Sequence, residues 1–413
     1  MPSKKALSVT AAAAALTLGL TACGGGGGDE GGGGDDPLQY GYVFPETGDL
    51  SHLGPPQISA AKYALSEIND AGGVLGSDVP DILSGDEAND AAQANDAASR
   101  LIDQDADIIL GAAASGMTQA IMDTVTGAEV VECSGSNTAP GLAAEDETGY
   151  YWRTAPSDTM QGPVLAQQIA QDGHQSVAIS HRADDYGEGL ANATAEALKQ
   201  NGIEVASNEG YDPNTANFDS VVSDVAEADA DAVVLVAFEE GVQIITGLIE
   251  DGVGADQMYG TDGLNDETLA EKVNAQDPST IAGFQGTAPA NGEQEFLKGL
   301  RSFDEDLEVF QFSGQVYDCG IVTALAAEQA ESTDPAVFVE EIRSVSREGT
   351  ECSGFKECKD LIADGEDIDY QGVSGPLNFD EDGNVTSATF QIYGYDDEGV
   401  HSKQDEITVD SEA

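Results

Sequence analysis

Basic residues are scarce in this sequence: fifteen lysines and arginines face seventy-seven aspartates and glutamates, a formal charge of −62 over 413 residues. A surface of that sign repels phosphate backbones and anionic headgroups, so nucleic acid is not expected as a partner and anionic lipid headgroups are poor ones. It is tolerable where salt screens it, because the Debye length falls to about 3 Å at 1 M, so a salt-rich source is expected. Histidine is also sparse. His52, His174, His181 and His401 are scattered, and no zinc-type spacing joins them to cysteine. A Gly-Lys-Ser/Thr phosphate loop, a Gly-x-Ser-x-Gly elbow, a His-Glu-x-x-His pair and a Gly-x-Gly-x-x-Gly run after the first strand are all missing, so enzymatic activity is not expected and no cofactor or metal is implied. The run Asp380 to Asn384 carries an incomplete calcium pattern and reads as a hairpin turn. No apolar stretch after residue 20 is long enough to span a bilayer. Hydrophobic residues nevertheless make up 40% of the chain and fall in periodic segments, which excludes an acidic disordered protein.

The first residues read as an export signal over 1–22, with Lys4 and Lys5 as the positive region and Ala6 to Leu20 as the apolar run. Leu20-Thr21-Ala22-Cys23 resembles the lipobox of bacterial lipoproteins, which implies a diacylglyceryl group on Cys23. The Gly-rich stretch within 23–37 then suits a flexible tether. The expected location is the outer face of the cytoplasmic membrane, held only through that lipid, since two acyl chains anchor stably where one is marginal. Four cysteines remain, an even number in an exported chain, so disulfides are allowed. Cys352 and Cys358, six apart, can close a small ring, which leaves Cys133 and Cys319 to each other.

Roughly 375 residues follow the tether, enough for two domains. Short β-rich runs alternate there with helical stretches, the pattern of parallel sheets covered by helices. Strands are expected at 38–44, 107–110 and 129–133, with helices at 56–71, 90–103 and 118–125. After Trp152 the rhythm restarts: strands at 176–180, 203–208, 232–237 and 257–260, and helices at 160–171, 187–201, 218–228 and 241–251. Two similar halves suggest two lobes of one architecture.

In open α/β sheets, ligands sit beyond the carboxyl ends of the strands. The loop Gly111 to Thr118 offers Ser115 and Thr118 where a helix opens, a setting for a carboxylate. Ser134 to Pro140 adds Ser136 and Thr138. Asp184 to Gly189 holds Tyr186, and Phe238 follows the next strand. Asp262 stands after the strand at 257–260, where it can answer an ammonium. Helix capping alone would account for either hydroxyl loop taken singly, and an arbitrary aspartate in so acidic a chain is a solvated group. Position, not residue type, singles out Asp262.

Four colinear segments carry a family resemblance. Ile68-Asn-Asp-Ala-Gly72-Gly73-Val-Leu-Gly76, Arg153-Thr-Ala-Pro156-Ser-Asp158-Thr-Met-Gln161-Gly162, Asp185-Tyr186-Gly187-Glu-Gly189 and Tyr370-Gln-Gly372-Val-Ser-Gly375-Pro376-Leu resemble the branched-chain amino-acid-binding proteins of ABC importers. The resemblance implies an α/β fold of two doubly wound parallel-sheet lobes joined by a three-stranded hinge, the type I periplasmic-binding fold. Crossings would fall near Pro156, Thr287 and Gly372, giving one lobe of 38–156 plus 288–372 and another of 157–287 plus 373–413. It further implies that Ser115 and Thr118 bind the ligand carboxylate, Thr138 contacts both ends of the amino-acid group, Tyr186 is a pocket aromatic and Asp262 accepts the ammonium.

The sequence departs from the family at several of these places. Phe238 is followed by Glu239 and Glu240 on the lobe-two loop, His52 and Leu53 stand at the first lobe's specificity position, and Asp262 replaces a longer glutamate. Carboxylates facing the pocket would favour a cationic or polar ligand, whereas solvated ones would not bear on it. The expected function is a monomeric solute-binding lipoprotein that captures an amino acid or similar small solute by lobe closure and delivers it to ABC permease subunits. A surface-anchored sensor of the same fold is the alternative.

Overall fold

The computed structural model describes residues 36–146 and 148–411. The expected export signal, the lipid site Cys23 and nearly all of the tether lie outside the described residues.

Five strands form the first sheet: β1 (Tyr40–Phe44), β2 (Leu83–Asp86), β3 (Ile108–Gly111), β4 (Val131–Ser134) and β5 (Tyr151–Arg153). All neighbours are parallel, in the order β2-β1-β3-β4-β5. The second sheet repeats that order with β6 (Ser176–Arg182), β7 (Glu204–Tyr211), β8 (Ala232–Val236), β9 (Met258–Gly260) and β10 (Gln285–Pro289), arranged as β7-β6-β8-β9-β10. Later in the chain β11 (Thr350–Cys352), β12 (Ile368–Gly372) and β13 (Gly375–Pro376) make a small separate sheet. The hairpin β14 (Ser387–Tyr395) and β15 (His401–Asp410) then extends the second sheet antiparallel to β10. The two doubly wound lobes expected from the sequence are therefore present.

Local chemistry sets the helix boundaries that matter for the site. The carboxylate of Asp90 caps the helix Ala91–Ile102 through Gln93 N–H, Ser157 caps Asp158–Asp172 through Thr159 N–H, and Asp184 caps Asp185–Gln200 through Gly187 N–H. Each cap sits at or near the carboxyl end of a strand, so each helix starts on the side of the sheet where a ligand would bind. The helix Asp158–Asp172 stops at Gly173, whose φ of 92° is open to glycine at little cost.

The first sheet is buried on both faces. One face packs on the helices Gly54–Asp70 and Ser313–Ala330, with Tyr40, Ile108, Leu110 and Val131 against Ile321, Val322 and Leu325. The other packs on Ala91–Ile102 and Ser115–Thr126. Both disulfides expected from the cysteine count are present. Cys133 on β4 joins Cys319 on the helix Ser313–Ala330, and Cys352 joins Cys358.

The chain passes between the sheets at 154–157 and again after β10, where Phe296 and Leu300 return to the first core. The segment 373–386, expected with the second lobe, contributes Leu377, Phe379 and Val385 to the first core before β14 goes back to the second sheet. Phe379 and Val385 bridge antiparallel across Asp380 to Asn384, and Asp380 Oδ1 accepts from Asp382 N–H and Asn384 N–H, which is the hairpin turn read from the sequence.

Candidate functional site

In a 2-1-3-4-5 sheet the chain reverses its winding direction between the first and third strands, and loops diverge there to leave a crevice. Here the two crevices belong to β1/β3 and β6/β8. The loop after β3 delivers Ser115, and that after β4 delivers Ser136 and Thr138. The loops after β6, β8 and β9 deliver Tyr186, Phe238 and Asp262. Sequence distance thus collapses: Leu50, Leu53, Ala114, Tyr186, Phe238 and Phe312 share one buried apolar cluster that spans both lobes. All seven residues singled out from the sequence are buried.

Asp262 is held by its neighbours. Its Oδ1 accepts from Gln161 Nε2 at 2.9 Å and from the Tyr186 hydroxyl at 3.0 Å, and its carbonyl oxygen accepts from Gln311 Nε2 at 2.7 Å. Burial pushes the carboxyl up to about 6, and the hydrogen bonds from Gln161 and Tyr186 offset only part of that.

A second acid stands beside it. Asp158 opens the helix Asp158–Asp172 three residues before Gln161, so the two side chains share a helix face. It is fully buried, and among the described residues its carboxylate has no ion pair and makes no hydrogen bond of good geometry, the nearby Thr138 hydroxyl included. Burial, and then the Asp262 charge, raise its carboxyl well above the usual range; Thr138 and Arg153 pull the other way but less strongly. Arg153 is itself committed, with its guanidinium donating to the carbonyls of Asn137 and Ala139 and to Asn384 Oδ1. Two adjacent buried carboxyls without an ion-pair partner cost several kcal/mol unless a cation or a proton answers them.

Three further unpartnered buried atoms belong to Gln57, Gln161 and Gln311. Gln161 Oε1 and Gln311 Oε1 are acceptors without donors on the Asp262 side. Gln57 Nε2, on the first turn of the helix Gly54–Asp70, is a donor without an acceptor, and Gln57 Oε1 lies 3.2 Å from the Ser136 hydroxyl. Ser115 opens the helix Ser115–Thr126, whose first N–H groups lack intrahelical acceptors. Other unpartnered acceptors, Glu132 Oε1 and Oε2 on β4 and Gln315 Oε1 on the helix Ser313–Ala330, lie on first-lobe elements.

The structure also sorts the four first-lobe hydroxyls singled out from the sequence. Thr118 gives its proton within the lobe, to Asn137 Oδ1 at 2.6 Å or the Ala112 carbonyl at 3.2 Å. Ser136 is engaged with Gln57 and the Ala113 carbonyl. Ser115 Oγ accepts from Ala139 N–H at 3.3 Å and keeps its own proton to give. Thr138 presents its carbonyl to Asp158 N–H at 2.8 Å, with its hydroxyl close to the Asp158 carboxyl.

Beyond Ser115 and Tyr186 a cleft of about 280 Å³ continues, lined also by Met117, Arg182, Asp184 and Phe238. The Phe238 ring lies between Tyr186, stacked at 5.2 Å, and the Arg182 guanidinium 3.6 Å from its centroid. Arg182 pairs with Asp184 at 2.5 Å and Glu240 at 3.0 Å, and Glu240 accepts from Tyr211 as well. Glu239 is half exposed and paired with Lys272. Each glutamate after Phe238 thus has a cation of the protein beside it, shared with a second acid: Arg182 with Asp184, and Lys272 with Asp266.

Sequence reasoning did not single out Asp158, Gln57, Gln161, Gln311 or Phe312. Asp158 and Gln161 lie inside the segment Arg153 to Gly162, and their i, i+3 spacing is the available signal. The glutamines carry no charge and no motif.

Comparison with known proteins bears on this arrangement. The family model described as periplasmic binding protein matches residues 37–399. A leucine-, isoleucine-, valine-, threonine- and alanine-binding protein of Pseudomonas aeruginosa is 24% identical over 367 residues, 87% of this chain and 90% of that one. The chemotactic signal transduction system substrate-binding protein BasB of Halobacterium salinarum is 26% identical over 371 residues, 87% of this chain and 86% of that one. Among solved structures, the leucine-binding protein LivK of Thermotoga maritima superimposes with a TM-score of 0.74 at 20% identity, covering 90% of this chain and 98% of that one.

Proposed function

We propose, for a chain that belongs to the periplasmic binding protein family, that it is the extracytoplasmic solute-binding component of an ABC importer and encloses an amino acid between its two lobes. The observation that carries this reading is the buried pair Asp158 and Asp262, two carboxyls on the second-lobe side with no cation of their own. A ligand ammonium placed there removes the cost of burying them, and a ligand carboxylate meets Ser115 and Gln57 on the opposite side. The similarity to amino-acid-binding relatives supports the ligand class. Lobe closure excludes water and strengthens each of these contacts.

The lipid anchor at Cys23, the outer-face location and action as a monomer belong to the same proposal. They rest on the sequence alone.

A thermal-shift panel of amino acids, their amides and short organic acids, run at high salt, tests the reading. At least one free amino acid is expected to bind at about micromolar strength, close to −8 kcal/mol. Asp262→Asn should then weaken it about a hundredfold, because one buried charge loses its partner, while Glu239→Gln leaves it within about threefold, as expected for an exposed pair. A flat panel, or equal losses in the two variants, rejects the assignment.

A sensor is the second reading, favoured by one observation: the similarity to a substrate-binding protein of a chemotactic signalling system. Ligand uptake lost on deletion of the gene supports transport; loss of a tactic response with uptake intact supports signalling.

A further inference from the structure

Asn137 stands between Ser136 and Thr138 on the loop after β4. It is fully buried, and its side chain uses all of its hydrogen-bonding capacity. The Oδ1 atom accepts from Thr118 Oγ1 at 2.6 Å and from the Tyr151 hydroxyl at 3.0 Å. The Nδ2 atom donates to the Ala112 carbonyl at 3.0 Å and the Ala113 carbonyl at 2.9 Å. Carbonyls can only accept, so the orientation of the amide is fixed by its partners.

Those four bonds join three pieces of chain: the loop from Gly111 to Thr118, the loop from Ser134 to Pro140, and β5. Ser134 reinforces the same junction, with its hydroxyl donating to the Ala112 carbonyl and accepting from Asn137 N–H. Ala112 and Ala113 therefore turn their carbonyls toward the second loop. Two residues further on, the chain turns into the helix Ser115–Thr126, and the Ser115 hydroxyl meets Ala139 N–H from that loop. This junction fixes the loop that carries Ser115 against the loop that carries Ser136 and Thr138. A side chain that only filled space would not need an amide here, because each of its four polar contacts must be kept satisfied away from water.

Resting on the amino-acid reading of the cleft, we propose that Asn137 is a positioning residue for recognition of the ligand carboxylate, and that Thr118 acts through it and does not itself touch the ligand. Thr118 has one hydroxyl proton, and that proton is spent inside the lobe. Recognition of the carboxylate is left to Ser115, Gln57 and the helix N–H groups, held at the correct separation by the Asn137 amide. The Asn137 amide makes no hydrogen bond to Asp158 or Asp262; its loop meets the ammonium side only through Thr138, whose carbonyl accepts from Asp158 N–H, so that side is tied less directly to the amide than the carboxylate side is.

That asymmetry gives a readout that general loosening of the fold would not produce. The probe is the free amino acid with the largest thermal shift in the panel, compared with its own amide, which keeps the ammonium and lacks the anionic carboxylate. In the full chain, Thr118→Val and Asn137→Ala should each weaken binding of the free amino acid at least about tenfold and that of the amide less than about threefold. Thr118→Ser, which keeps the hydroxyl, should remain within about threefold of the unaltered chain. Their double variant should be no weaker than the worse single one, because residues acting as one unit are not additive. Should Asn137→Ala fail to fold, Tyr151→Phe removes one donor to the same oxygen without opening a cavity, and a smaller loss of the same selectivity is expected. Equal losses for acid and amide reduce Asn137 to a packing residue, and additive losses in the double variant make Thr118 a direct contact; either overturns the proposal while the amino-acid reading stands. If no amino acid binds the unaltered chain, the reading itself fails and the positioning role goes with it.

Discussion

Gly189 lies against the ring of Pro140 so closely that a Cβ on the glycine would stand 2.4 Å from Pro140 Cδ. Pro140 follows β4 of the first sheet, and Gly189 is on the first turns of the helix that follows β6 of the second, so the contact is between lobes. An added methyl there has nowhere to go while the lobes are together. Overpacking of this kind costs about 1–3 kcal/mol, and the cost falls on the closed arrangement alone if the lobes separate without ligand. Gly189→Ala should therefore weaken ligand binding about 5- to 150-fold and leave the ligand-free melting temperature nearly unchanged. Calorimetric titration beside a ligand-free melting curve checks this; a matching drop in ligand-free stability would place the contact in the resting form as well.

If the proposed ammonium site is right, the pair Asp158 and Asp262 should give ligand affinity a pH dependence of definite sign. Burial raises both carboxyls, Asp262 to about 6, with Tyr186, Gln161, Thr138 and Arg153 as the groups that face them. A carboxyl that must be ionised to hold an ammonium loses affinity as pH falls through its value in the free protein. Between pH 7 and pH 5 binding should weaken about tenfold for a single group near 6. Ligand-free stability moves the other way. Each of these acids binds its proton more tightly folded than unfolded, so lowering the pH from 7 toward the unfolded value near 4 favours the folded chain. Asp318, also raised to about 6 by burial, adds to that trend. Parallel changes in affinity and stability over this window would contradict the argument.

The same residues show what the sequence could and could not reveal. Alternating β-rich and helical segments made both doubly wound lobes legible, and strand ends then pointed to Ser115, Thr138, Tyr186 and Asp262. The edge strand β2, with the sequence Leu-Ser-Gly-Asp, escaped notice because it has one apolar residue and no alternation. The helix Ser313–Ala330 escaped for the opposite reason. It is buried on every side over its first fifteen residues, so it has no polar face to give a period. Asp158 was hidden by composition: among seventy-seven acids, only its burial separates it from solvated neighbours. The commitment of Thr118 to Asn137 depends on the angle between two loops, which no pattern in either loop encodes.

The disulfides differ in what they constrain. Cys133 and Cys319 are 186 residues apart, and their bond ties β4, just before the Ser134–Pro140 loop, to the helix Ser313–Ala330. Cys352 and Cys358 enclose only a short turn. By loop-closure entropy the long bridge is worth about 5 kcal/mol and the short one about 2 kcal/mol. Replacing Cys133 and Cys319 together by serine should lower the melting temperature clearly more than replacing Cys352 and Cys358. Non-reducing peptide mapping should find Cys352 joined to Cys358 and Cys133 joined to Cys319. Free thiols at either pair would refute that pairing, and equal destabilisation would show that the long loop stays ordered when unfolded.

Charge sets the last condition under which all of these measurements should be made. Among the described residues, the seven ion pairs draw on only five cations, Arg182, Lys272, Lys356, Lys359 and Lys403. Most of the seventy-seven acids therefore have no cation within reach, and they repel one another across the surface. Repulsion between exposed charges extends over about 10 Å at 0.1 M salt and about 3 Å at 1 M, so added salt removes a term that opposes folding. The denaturation midpoint should rise progressively as potassium chloride is raised from about 0.1 M to about 2 M. Potassium chloride and potassium glutamate at equal ionic strength should act alike over the lower part of that range, because screening depends on charge and not on ion identity. A midpoint that is flat with salt would mean the acids are balanced within the fold, and the expectation of a salt-rich source would lose its physical basis.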